Sequence, residues 1–256
     1  KGSELDTDLY RQRFLFDVSI GGRYSTTSVV GLLSLALGFG VDVMTQLLDG
    51  AYAADCIDLN LDVPQDSIAL NQAILNIQYR QHYHWQSLAL VPYGECFKYL
   101  PAFLVQLICE SLGKGVDQNG VPVSTVSCPN IVQGLGPEAQ HGFFQQLHQS
   151  NIITPVEFIS AQPATKNQLH MLQQICGQMV AFAQGKSDEN GHFHFSGNRP
   201  STLLMLTNNS PQSLGALVAT YENRVLFESL LLNVNAFDQP GVELGKSITK
   251  SITSSG

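Results

Sequence analysis

The sequence is short of positive charge: 13 Lys and Arg stand against 21 Asp and Glu in 256 residues, a net charge of -8. Such a chain lacks the diffuse basic field that draws a surface to nucleic acid or anionic lipid, although a small anion can still bind at a local site. No nucleic-acid partner and no membrane partner is expected. Long apolar runs are missing too. The richest stretch, Ser28 to Val43, is broken by Gly31, Gly38, Gly40 and Asp42, so no membrane span is expected. Cysteine is sparse, and Cys56, Cys96, Cys109, Cys128 and Cys176 include no C-x-x-C pair. Apolar neighbours around three of them suggest small core residues in a reducing, cytoplasmic compartment. The opening Lys-Gly-Ser-Glu-Leu-Asp has no initiating methionine and no apolar signal core, as expected of a piece of a longer chain.

What is present is enough apolar material, 44% of residues, to bury a sizeable core as one domain over residues 1–256. The periodicity predicts helices over Thr26 to Gly38, Asp42 to Asp55, Ser67 to His82, Phe97 to Ser111, Gln140 to Gln149, Lys166 to Gln184, Ser213 to Leu232 and Val242 to Ile252. Between them, Leu88 to Val91, Pro155 to Ile159 and Thr202 to Leu206 are short apolar runs, as strands buried on both faces should be. The alternation predicts an α/β fold with a parallel sheet between helices, and Gly185 to Asn198 reads as a flexible loop insertion.

Several groups could do chemistry. Gly21-Gly22-Arg23 follows an apolar stretch and precedes hydroxyl residues that can cap a helix, so it offers an anion site with an arginine beside it, or merely a surface arginine. Glu110 ends an apolar run just before Gly113, a helix terminator. A carboxylate there faces the negative end of the helix dipole and is suited to taking a proton from carbon; otherwise it is a solvated acid. His141 follows the rigid Gly134-Leu135-Gly136-Pro137 turn and could carry protons near neutral pH, or could pair structurally with His148, seven residues on along one helical face. The Pro240-Gly241 step could hold Gln239 and Lys246 near one turn, with Lys246 in water as the plainer reading. His82, His84, His192 and His194 lack cysteine or carboxylate at ligand spacing and read as surface histidines, so no metal is expected.

These segments, in order, resemble the C-terminal portion of the phosphoglucose isomerase family. The resemblance rests on Gly21-Gly22-Arg23-Tyr24-Ser25, Pro92-Tyr93, Glu110-Ser111-Leu112-Gly113-Lys114, Gln140-His141, Gly197-Asn198-Arg199-Pro200, Leu214 to Val218 with Tyr221-Glu222, and Phe237 to Lys246. It departs from the family at Glu138-Ala139, where Asn-Gly is usual. The resemblance implies a sugar-isomerase (SIS) flavodoxin-like fold and interconversion of glucose 6-phosphate and fructose 6-phosphate through a cis-enediol, with no cofactor. By the same resemblance, Glu110 is the proton-shuttling base and Arg23 steadies the enediolate. His141 and Lys246 open the sugar ring, and Gln239 lines the pocket. It further implies a homodimer in which His141 serves the neighbouring subunit's site. The substrate phosphate would be gripped by a preceding N-terminal domain, so this piece alone is expected to be weakly active or inactive. The alternative is a non-catalytic sugar-phosphate-binding SIS module, which would have no need to keep Glu110, His141 and Lys246 together.

Overall fold

The computed structural model describes residues 12–189 and 191–254; the opening hexapeptide lies outside them. Four parallel strands, β1 (Ser87–Pro92), β2 (Asn130–Gln133), β3 (Val156–Ala161) and β4 (Ser201–Leu206), form one sheet in the order β2-β1-β3-β4. The register pairs Ser87 with Asn130 and Ala89 with Val156 across β1, and Val156 with Ser201 across β3.

Successive strand residues point to opposite faces, and each face has its own core. Leu88, Leu90 and Ile159 pack with α4 (Leu100–Leu112) and α8 (Pro211–Leu231). Ala89, Val91, Val156 and Phe158 pack instead with α5 (Gly136–Gly142), α6 (Phe144–Gln149) and α7 (Lys166–Gln184). The result is the expected α/β arrangement, a parallel sheet between two helical layers. A further pair, α2 (Val41–Asp58) and α3 (Ile68–Gln81), packs on α8. The α2–α8 approach is close enough that a Cβ on Gly215 would lie 1.9 Å from the Leu47 carbonyl oxygen. Two helices, α1 (Val29–Phe39) and α9 (Pro240–Ser254), lie outside these layers. Among the described residues no helix is long and apolar enough to cross a membrane.

Local chemistry explains the helix starts. Ser28 caps α1, Ser67 caps α3, and Thr165 with Gln168 forms a full capping box on α7. The expected bounds of α7 agree with those observed. The predicted Gln140 to Gln149 helix is in fact two, because Phe143 leaves helical geometry at φ -132. β2 was not anticipated: its apolar content is only Ile131 and Val132, both partly exposed on an edge strand. The Gly185 to Asn198 segment is pinned at its neck rather than loose. Gly185 (φ +62) and Gly197 (φ +64) cross so closely that a Cβ on Gly185 would lie 2.3 Å from the Phe195 carbonyl oxygen, beside a Lys186–Phe195 bridge.

The core also holds charge that sequence reading missed. Arg224 on α8 bonds Glu157 on β3 at 2.9 Å and Glu228 at 3.1 Å, and Glu228 bonds Arg80 on α3 at 2.6 Å. All four are buried, and their mutual pairing is what makes such burial tolerable. The expectation of three core cysteines fails for most of them: Cys56, Cys96 and Cys176 are exposed and Cys109 is half-buried, while Cys128, also half-buried, packs against the core between the sheet and α4.

Candidate active site

α4 buries Leu100, Leu104, Leu107, Ile108, Ser111 and Leu112, the i, i+4, i+7, i+8 stripe of a helix with one face in the core. That rotation puts the Ser111 hydroxyl inside and leaves Glu110, one position round, at the rim with its side chain 28% exposed. Cys128, just before β2, has its Sγ 3.9 Å from the Ile108 carbonyl oxygen. The end of α4 therefore lies where the strands begin. Open α/β sheets more often bind ligands at the carboxyl ends of their strands.

Arg23 comes to this point from a 3-10 turn, Gly22–Tyr24. It is only 2% exposed, which overturns the surface-arginine reading. Its Nε donates to Ser111 Oγ at 2.8 Å, and its Nη1 to Glu110 Oε2 at 3.1 Å and Gln239 Oε1 at 2.9 Å. Its Nη2 donates to the Ala236 carbonyl and, at 3.1 Å, to the Asp238 carbonyl. One guanidinium thus joins the end of α4 to the turn that leads into α9. Tyr24 completes the support, its hydroxyl 2.9 Å from Ser111 Oγ and its ring 5.1 Å from that of Phe237. Burial pushes the Tyr24 phenol up, against the opposing pull of its Ser111 hydrogen bond.

Glu110, Lys114, Gln239 and Cys109 line a cleft of about 700 Å3 between the end of α4 and the start of α9. Glu110 Oε2 is held by Arg23 and, at 3.5 Å, by Gln106. Among the described residues Oε1 makes no hydrogen bond, leaving one carboxylate oxygen free to exchange a proton. Lys114, not singled out from the sequence as a site residue, has a side chain only 10% exposed and pairs with the Asp238 carboxylate at 2.7 Å. It clamps the turn that carries Gln239. Its signal was available in the Glu110 to Lys114 run, immediately after the predicted helix stop.

The other two expected site residues are elsewhere. His141 is exposed near the end of α5, and His148, on the separate helix α6, stacks on Phe182 at 4.2 Å and hydrogen-bonds Gln178 at 2.9 Å. The two histidines do not share a helix face. Lys246 is exposed on α9 and pairs with Glu243 at 2.8 Å; neither it nor His141 lines the cleft. His82, His84, His192 and His194 are exposed, and the described residues contain no group of three or more potential metal ligands.

Comparison with known proteins decides the family, because the profile of phosphoglucose isomerase matches residues 3–256. The chain belongs to the phosphoglucose isomerase family. It is 38% identical over 255 residues to a glucose-6-phosphate isomerase of Treponema denticola, covering 96% of this chain and 48% of that one. A glucose-6-phosphate isomerase of Stenotrophomonas maltophilia (strain R551-3) is 39% identical over 237 residues, 91% of this chain and 47% of the relative. The crystal structure of a glucose-6-phosphate isomerase from Chlamydia trachomatis superposes with a TM-score of 0.93 at 34% identity, covering 99% of this chain and 51% of that one. The chain spans about half the length of the curated family members it matches.

Proposed function

We propose that this chain is the C-terminal portion of an enzyme that interconverts glucose 6-phosphate and fructose 6-phosphate, an aldose-ketose isomerisation of glycolysis and gluconeogenesis. The observation that carries the reading is the carboxylate at the cleft with one oxygen fixed by a buried guanidinium and the other free. In the proposed reaction Glu110 takes a proton from the second carbon of the open-chain sugar. It returns that proton to the first carbon of a cis-enediol. Arg23 supplies fixed positive charge to the enediolate oxygens, and because it is already held by five acceptors it costs little reorganisation when charge develops. Gln239 lines the same cleft and orients the sugar. These proton transfers need neither metal nor organic cofactor.

His141 and Lys246 would open the sugar ring. Their exposure outside the cleft fits a site that is completed by other parts of an assembly, with His141 reaching the site of a second subunit in a cytoplasmic homodimer. The phosphate grip would come from an N-terminal domain. α1 supports a longer chain: its sequence, VVGLLSLALGF, is almost wholly apolar, yet none of its residues is buried. The isolated 256-residue chain is accordingly expected to turn over weakly or not at all, since remote phosphate contacts contribute to transition-state stabilisation.

The test is a coupled assay of fructose 6-phosphate conversion, run on this chain alone and on this chain joined to the N-terminal half of a family member, each beside Glu110→Gln. Turnover by the joined protein that the Glu110 variant loses supports the assignment. An inactive joined protein that still binds sugar phosphate would instead favour a non-catalytic SIS module.

A further inference from the structure

We propose that Cys109 and Cys128 are a thiol-oxidation site, closing to a reversible disulfide when a hydroperoxide enters the cleft. The geometry carries this. Cys109 occupies the last turn of α4, is half-buried and lines the cleft, which is the side from which a small oxidant would approach it. Cys128 lies in the segment entering β2, with Sγ 3.9 Å from the Ile108 carbonyl oxygen and 3.4 Å from that of Pro129. Its thiol is therefore level with the peptide joining Ile108 to Cys109, which brings the two cysteine side chains to the same end of α4. The remaining cysteines are dispersed: Cys56 on α2, Cys96 in the Glu95–Phe97 turn and Cys176 on α7.

The pair divides its chemistry as an attacking and a resolving thiol do. Cys109 is the thiol that lines the cleft, and interaction with Cys128 holds it down, while the same interaction and burial push Cys128 up. A thiolate is the nucleophile in such reactions, and Cys109 is the one of the pair that meets the cleft. It attacks one peroxide oxygen; the O–O bond breaks, Cys109 becomes a sulfenic acid, and water (or the alcohol of an organic hydroperoxide) leaves. The Cys128 sulfur then attacks the sulfenic sulfur, the S–S bond forms, and the Cys128 proton departs with the hydroxide as a second water. Two thiols lose two electrons and two protons, and the peroxide is reduced. A dithiol reductant reverses the bond by exchange. The disulfide would tie the last turn of α4, one residue before Glu110, to the entry of β2. This site does not depend on the isomerase reading.

The experiment treats the reduced 256-residue chain with equimolar hydrogen peroxide, alkylates remaining thiols and maps the cysteines by peptide mass spectrometry. The expected result is a Cys109–Cys128 linked peptide, lighter by two hydrogens and lost on dithiothreitol treatment, while Cys56, Cys96 and Cys176 remain alkylated. The rate should rise with pH, as the thiolate is the attacking form. In Cys128→Ser the linked peptide disappears and dimedone captures a sulfenic acid at Cys109. Oxidation of an exposed cysteine before Cys109, or a Cys128 that stays alkylated after Cys109 has oxidised, overturns the proposal in the wild-type chain itself, whatever the folding of the variant.

Discussion

Replacing Arg23 by Met tests whether the guanidinium is the strut between α4 and the α9 turn. Methionine keeps an unbranched apolar stem of similar reach, so the loss is mainly polar. Five N–H donors disappear at once, and Ser111 Oγ, Gln239 Oε1, the carbonyls of Ala236 and Asp238, and Glu110 Oε2 each lose a partner. Ser111 retains Tyr24, and Glu110, 28% exposed, regains some water. The Ala236 carbonyl has no such relief, since its residue is 1% exposed. Removing one partner of a buried charged pair costs about 3–5 kcal/mol, and partial hydration of Glu110 places the expected loss toward about 3 kcal/mol. At roughly 2–4 °C per kcal/mol for a domain of this size, the melting temperature should fall by about 10 °C. Urea unfolding followed by circular dichroism provides the assay, with Arg23→Lys expected to lose about half as much because it keeps the charge and gives up the fork. Lys246→Met serves as the control: its ion pair with Glu243 is exposed on both sides, and its loss should change stability by less than about 1 kcal/mol. An Arg23→Met chain that unfolds at the wild-type urea midpoint would refute the strut.

Glu222 should make the chain less stable as pH rises through the weakly acidic range. Burial, and secondarily the charge of Asp55, push its carboxyl up to about 7, and its Oε1 is buried without a hydrogen bond. The folded state therefore binds the proton more tightly than the unfolded state. Stability is highest below the ordinary carboxyl range and falls until pH about 7, by roughly 3 kcal/mol at most. Glu222→Gln should remove this slope and raise stability above neutrality, as read by urea midpoints across pH; an unchanged slope would exclude Glu222 as its source. The glycines on two helices should respond oppositely to alanine. Gly215→Ala forces a Cβ to within 1.9 Å of the Leu47 carbonyl oxygen and should cost about 1–3 kcal/mol. Gly177→Ala, with no atom within 4 Å of its new Cβ, should gain roughly 0.5–1 kcal/mol from helix propensity. Equal urea midpoints for the two variants would count against the close α2–α8 crossing.

Sequence reading went furthest where information is local. Three of the four strands were visible as short apolar runs, and α7 was visible from its periodicity, although its Thr165–Gln168 box emerged only in the structure. β2 was not, because two half-exposed apolar residues carry too little signal. The break between α5 and α6 depends on the dihedral angles of Phe143, which no periodicity reports. In the site, Arg23, Glu110 and Gln239 could be singled out by residue type and neighbouring breakers. The partners that immobilise Arg23 could not: two of its five acceptors are main-chain carbonyls, which look alike in any sequence. The buried Arg224–Glu157–Glu228–Arg80 group was missed for a related reason. Charges are costly to bury singly, and only the packed structure shows that these four are partners.

By itself the sequence determined the α/β class, the positions of most helices and, through ordered motifs, the phosphoglucose isomerase family, because these depend on residue type and spacing along one segment. Tertiary structure alone decided that the buried Arg23 bonds Glu110 and Gln239 behind one cleft, that His141 and Lys246 do not line it, and that Cys128 reaches the Ile108 carbonyl beside Cys109. Those facts depend on the paths by which α4, the Gly22–Tyr24 turn and the segment after α8 return to the same end of the sheet. Hydrophobic burial drives each return, and it acts between segments that the sequence separates by up to 216 positions.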